Sequence, residues 1–126
     1  MHNSKFYFCS HCGNIVIKAH DSGAAISCCG EPMQEMKPNT TDAAEEKHVP
    51  AVTRNGNRIS VEVGSVTHPM EEKHFIEWIY LVTEQGTYSR HLHPGDAPKA
   101  EFEVINDKPV AVYAYCNLHG LWTAGV

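Results

Sequence analysis

Ile59-Ser60-Val61-Glu62-Val63 alternates apolar and polar side chains with a period of two, the pattern of a strand that buries one face. Asn55-Gly56 stands just before it and predicts a tight hairpin turn. Downstream, Phe75 to Thr83 mixes Ile, Trp, Tyr, Leu and Val without helical periodicity, which predicts a central strand ending at the turn around Gln85-Gly86. Tyr88 to Leu92, Ala100 to Ile105 and Val110 to Cys116 follow, separated by Pro94-Gly95 and Asn106-Asp107. Six or seven short strands at this spacing predict an all-β chain whose larger part is a β-sandwich.

Upstream the composition changes at about residue 38. Residues 1–37 carry Cys9, Cys12, Cys28 and Cys29, with short β-like runs at Phe6-Tyr7-Phe8 and Ile15-Val16-Ile17. So small a piece rarely buries enough apolar surface to fold alone, and four cysteines supply what a metal would need. Lys37 to Lys47 is a polar connector in which Asp42 with Glu45 could cap one helical turn, too short to stand by itself. The expected organisation is a small metal domain over 1–37 and a sandwich over 38–126, with 38–47 as linker.

The chain has 126 residues, a net charge of −5 and a pI near 5.9, a balance that argues against nucleic acid or an anionic membrane as partner. An anionic substrate would need a local positive spot. No stretch of the N-terminus resembles a signal-peptide core, and the most apolar run, Phe75 to Val82, is short and interrupted by Glu77. A soluble, cytoplasmic protein is expected. In a reducing compartment close-set cysteines are metal ligands or redox groups more often than disulfides, and an odd total of five agrees.

In the first cluster the knuckle Cys9-x2-Cys12 can aim two thiolates at one cation. Adjacent cysteines diverge in an extended chain, so Cys28 and Cys29 can share that cation only if the backbone kinks between them. Zinc and iron both suit four thiolates. A second constellation lies at His48, His68, His74, Cys116 and His119. Pro50 and Pro69 predict a locally extended chain at His48 and His68, which would hold both imidazoles at defined angles. Four neutral imidazoles and one thiolate suit a borderline metal such as iron(II) and leave one octahedral position open. Any one of these histidines taken alone is more simply a hydrogen-bonded residue. His2, His11 and His20 keep that plainer reading, and so do His91 and His93, whose spacing can bind metal but which run into Pro94-Gly95.

The knuckle Cys9-x2-Cys12-Gly13-Asn14, the pair Cys28-Cys29-Gly30-Glu31-Pro32-Met33, Glu46-Lys47-His48-Val49-Pro50, His68-Pro69-Met70-Glu71-Glu72-Lys73-His74 and Cys116-Asn117-Leu118-His119-Gly120-Leu121-Trp122 together resemble desulfoferrodoxin, the two-iron form of superoxide reductase, over nearly the whole chain. The resemblance implies a desulforedoxin-like domain with an iron tetrathiolate, then an immunoglobulin-like sandwich with the catalytic iron. It implies His48, His68, His74 and His119 as equatorial ligands, Cys116 as axial ligand, Glu46 as a ligand of the oxidised resting state and Lys47 above the open position. It further implies a homodimer, a rubredoxin-like electron donor, and reduction of superoxide to hydrogen peroxide without oxygen production. Relatives often carry Glu two residues before the ligand cysteine, where this chain has Ala114, a difference expected to act on hydrogen bonding around the sulfur. A pure electron-transfer protein and a structural zinc module are the rival classes.

Overall fold

The computed structural model describes residues 4–126, so the reading of His2 lies outside the described residues. The chain separates into two compact units, one ending at Lys37 and one running from Pro38 to Val126.

In the first unit β1 (Phe6–Phe8) pairs antiparallel with β2 (Ile15–Ile17) on one side and β5 (Gln34–Met36) on the other, and β3 (Ser27–Cys28) and β4 (Glu31–Pro32) form a minimal hairpin. Among the described residues its buried apolar side chains are few: Phe6, Cys9 and Met33 are the ones below a tenth exposed. Such a nucleus falls short of what chain entropy demands, so the unit depends on cross-links for its fold.

The second unit is a two-layer sandwich. One sheet has strand order β10-β7-β6, built from β6 (Pro50–Asn55), β7 (Arg58–Val63) and β10 (Lys99–Glu103). The other has order β12-β11-β8-β9, built from β8 (Ile76–Thr83), β9 (Thr87–His91), β11 (Pro109–Cys116) and β12 (Gly120–Gly125). As the alternation in β7 predicts, Ile59, Val61 and Val63 face inward and are 1%, 1% and 0% exposed. They meet Ala100, Phe102 and Val104 beside them and Ile76, Ile79, Leu81, Val112, Ala114 and Cys116 from the facing sheet. The β6–β7 hairpin closes between Asn55 and Arg58, and Gly56, at φ +61°, supplies the left-handed turn residue.

The sandwich positions its own inner end. Between Tyr115 and Cys116 the β11–β8 register slips, so that Tyr115 faces Trp78 and Cys116 faces Ile76 with Glu77 left over. This bulge lets Ala114 and Cys116 both stay inward while β8 changes phase. Among the described residues no helix is long and apolar enough to cross a membrane.

Two sequence expectations need correction. The helical turn exists as α1 (Glu45–His48), but Ala44 occupies its N-cap position without a side-chain cap bond, so Asp42 does not cap it. His48 is also not extended: it ends α1, and Val49, directly before Pro50, takes the extended conformation at φ −68°, ψ 123°. Proline restricts the residue before it, and here that residue is Val49.

Candidate metal centres

Cys9, Cys12, Cys28 and Cys29 bring their sulfurs within 4.8 Å of one another. The knuckle is closed by Cys9 N–H donating to the Asn14 carbonyl and Gly13 N–H donating to the Cys9 carbonyl, both at 2.9 Å, with Gly13 at φ +83°. On the other side Cys29 adopts φ +55° and Gly30 φ +79°. That left-handed step is the kink that lets adjacent cysteines converge: Cys28 Sγ lies 3.9 Å from Cys29 Sγ and 3.6 Å from Cys12 Sγ. Asn14 Nδ2 also donates to Cys28 Sγ at 3.6 Å.

All five cysteines are free thiols, so no disulfide supplies the cross-link this unit needs. The backbone N–H of Cys12 holds Cys9 down to about 6, while the neighbouring sulfurs, Cys12 first, push Cys29 up to about 12. Cys9 is therefore favoured as a thiolate, while the sulfurs crowded around Cys28 and Cys29 resist negative charge there. A cation reverses that resistance, and the set fits a tetrathiolate metal.

The second centre is a square of imidazoles. In cyclic order His48, His68, His74 and His119 have neighbouring ring centroids 4.6, 4.6, 5.0 and 4.9 Å apart, each ring near perpendicular to the next. His48 and His74 face each other across the square at 6.3 Å. Cys116 Sγ reaches His119 Nδ1 at 3.9 Å and lies within 4.8 Å of a ring nitrogen of each of His48, His68 and His74. His48 comes from α1, His68 and His74 from the connection between β7 and β8, Cys116 from the end of β11 and His119 from the turn between β11 and β12.

Two of these rings are oriented by their own chain. His48 Nδ1 donates to the Ala44 carbonyl and His68 Nδ1 to the Pro69 carbonyl, both at 2.7 Å. A carbonyl only accepts, so each Nδ1 carries the proton and each Nε2 of the neutral ring is a bare lone pair. Yet the two Nε2 atoms stand 3.1 Å apart, and His48 Nε2 is 3.1 Å from His119 Nδ1. Protonating the rings would relieve this, but burial lowers His48 and holds His68 down to about 4. His74 Nε2 is buried with no hydrogen-bond partner. Lone pairs converging in this way call for a cation. Metal–imidazole bonds of about 2.1 Å at right angles would set neighbouring nitrogens about 3.0 Å apart, which matches the spacing.

Around the square, Trp122 stacks on His48 at 4.9 Å and donates its Nε1 proton to the His119 carbonyl at 3.1 Å. Burial pushes the Cys116 thiol up, and the backbone N–H groups of Leu118 and His119 oppose that by donating to the sulfur. Ala114 is fully buried in the core and offers the sulfur no polar group. Burial is the main cause of the lowered pKa of His48 and His74, and the charge of Lys47 adds to it at both rings. Lys47 and Glu46 are both exposed on α1, and the Glu46 carbonyl accepts from Val66 N–H at 2.8 Å and from Ser65 Oγ at 3.3 Å.

Gly64 explains how α1 sits so close: a Cβ there would meet the Glu46 carbonyl oxygen at 2.6 Å and that of Val49 at 2.9 Å. Gly64 and the carbonyls of Ala44 and Pro69 were not anticipated from the sequence, and Trp122 had no role there beyond its motif. A glycine directly after a strand and a tryptophan three residues past a ligand were the available signs. The other described histidines stay outside both centres: His11 pairs with Glu31 at 3.0 Å, His20 and His91 are exposed, and His93 lies 3.6 Å from Asp96 in a turn.

Comparison with known proteins agrees with both halves of this picture. The desulfoferrodoxin family model matches residues 40–125, and the model of the desulfoferrodoxin N-terminal domain matches residues 2–36. The chain is 56% identical over 120 residues to the desulfoferrodoxin of Nitratidesulfovibrio vulgaris, covering 95% of this chain and 94% of that one. Among solved structures it superposes on the superoxide reductase of Treponema pallidum with TM-score 0.82 at 32% identity, covering 98% of this chain and 99% of the other. The superoxide reductase of Giardia intestinalis matches with TM-score 0.56 at 35% identity over 64% of this chain and 97% of that one. With both family models matched and both donor sets assembled in the fold, the chain belongs to the desulfoferrodoxin family.

Proposed function

We propose that this protein is a superoxide reductase whose second centre reduces superoxide to hydrogen peroxide. The observation that carries the reading is the square of four imidazoles with a thiol within reach, a donor set that takes five of six octahedral positions and leaves one for a small anion. His48, His68, His74, His119 and Cys116 would together hold iron(II). Iron(II) bound there supplies one electron to superoxide, which with two protons becomes hydrogen peroxide.

The chain's own residues do the rest. With iron(II) bound, neutral imidazoles and one thiolate would leave the centre at net +1, so a superoxide anion would be attracted although the whole chain carries −5. Lys47, whose charge already acts on His48 and His74, adds to that local field and orders the water that delivers protons. Glu46 is the proposed ligand of the sixth position in the oxidised resting protein. Trp122 and the Ala44 and Pro69 carbonyls keep the rings in register for the metal.

The first centre is read as an iron tetrathiolate on Cys9, Cys12, Cys28 and Cys29, with no position for substrate and a role confined to electron transfer. A rubredoxin-like donor, a homodimer and a cytoplasmic location complete the proposal, the last supported by five unpaired thiols.

Metal analysis with a visible spectrum, followed by an assay that separates reduction from dismutation, tests the reading. Two irons per chain and one peroxide per superoxide without oxygen release are expected. Oxygen release, or a colourless zinc protein, would contradict it.

A further inference from the structure

His74 is a corner of the square that no outer hydrogen bond among the described residues aims. The rings of His48 and His68 are each aimed by a hydrogen bond from Nδ1, and metal-binding histidines depend on such bonds for orientation. Neither ring nitrogen of His74 has a hydrogen-bond partner among the described residues, and its Nε2 is buried without one. Its aim must therefore come from the backbone that carries it. On one side that backbone is fixed by a two-bond bridge with Glu71, His74 N–H to the Glu71 carbonyl and Glu71 N–H to the His74 carbonyl, both 3.0 Å.

The other side is held by a single residue, Asn117. Its Oδ1 accepts the Phe75 N–H at 3.0 Å and its Nδ2 donates to the Lys73 carbonyl at 3.0 Å, so the amide grips the peptide on each side of His74. Its own N–H donates to the Phe75 carbonyl at 3.3 Å. Asn117 directly follows Cys116 and stands two residues before His119. One side chain thus ties the segment carrying the third imidazole to the turn carrying the thiol and the fourth. The amide is matched to the task, since only a group with one acceptor and one donor can bind a carbonyl and an N–H that flank one residue.

We propose that Asn117 is the positioning residue that sets His74 relative to Cys116 and His119, and so fixes the affinity of the second centre for its metal. This rests on the metal-binding reading of that centre.

The test is the iron(II) affinity of the second centre, measured anaerobically by chelator competition on the full chain, with the first centre loaded and its absorbance followed as a check on folding. Asn117→Ala should weaken binding by about 10- to 100-fold, the usual cost of losing an outer-shell partner. Asn117→Asp keeps the acceptor for Phe75 N–H but sets a second acceptor against the Lys73 carbonyl, so its affinity should fall between the two; it also serves where the alanine variant folds poorly. In a His74→Ala background the further change Asn117→Ala should alter affinity by less than about twofold, because the residue it acts through is gone. Parent-like affinity in both Asn117 variants, with only thermal stability lowered, would overturn the proposal. So would the full loss recurring without His74. Failure of the parent itself to bind iron(II) there would instead bring down the metal-site reading.

Discussion

The two centres are built by opposite strategies. The first draws its four sulfurs from two short segments, Cys9 to Cys12 and Cys28-Cys29, on a unit where three apolar side chains among the described residues are well buried. The second draws on three separate connections of a sandwich whose core includes Ile59, Val61, Val63, Ile79, Leu81 and Val112 at no more than 1% exposure. In the first, positive φ at Gly13, Cys29 and Gly30 brings the sulfurs together, and a cation would let them all ionise. In the second, the scaffold has already aimed the rings of His48 and His68 through carbonyls and Trp122. Metal is thus part of the fold in one unit and a guest of the fold in the other.

The largest effect should follow from removing metal. A chelator strong enough to strip both centres should unfold residues up to Lys37 and leave the sandwich standing, because apparent binding energy at a structural site is folding energy. Amide hydrogen exchange reads this directly: protection lost at Phe6–Phe8 and Ile15–Ile17 and kept at Ile76–Thr83 is the expected pattern. Equal loss in both would erase the contrast.

Next in size is Cys116→Ser. A hydroxyl is a poor substitute for a thiolate, so the oxidised second centre should lose its sulfur-to-iron charge-transfer absorption and most of its turnover, while the absorption of the first centre persists. An unchanged spectrum would show that Cys116 is no ligand. A smaller change is expected at Lys47, which touches rate and not structure. Lys47→Ala should slow superoxide capture by something between about 10- and 10³-fold and flatten its dependence on ionic strength. Parent rates with the parent salt slope, measured with pulse-generated superoxide, would leave attraction of the anion to the metal's own charge.

Much of this was open to reading because single residues carry it. Strand β7 shows itself through alternation, β8 through β-branched and aromatic density, and the adjacent pair Cys28-Cys29 through a geometric demand that the φ of Cys29 meets. Strand β12 was missed because glycine stands at both ends and its alternation is weak; it forms because pairing with β11 from Ala111–Gly125 to Cys116–Gly120 completes the sheet. His48 was read as extended because a proline two residues on constrains its neighbour and not itself. The grips of Asn117 on Lys73 and Phe75, and the fit of Gly64 under α1, join segments far apart in sequence. No local pattern announces a contact of that kind.

The contrast between the centres has its most direct test in one variant. Cys12→Ser should empty the first centre, and the reduced protein, with iron retained at the second, should be mixed with pulse-generated superoxide under an artificial reductant. One hydrogen peroxide per superoxide, at the parent rate and without oxygen, is the result predicted if the second centre alone performs the chemistry. Loss of the reaction while the second centre still holds its iron would contradict it.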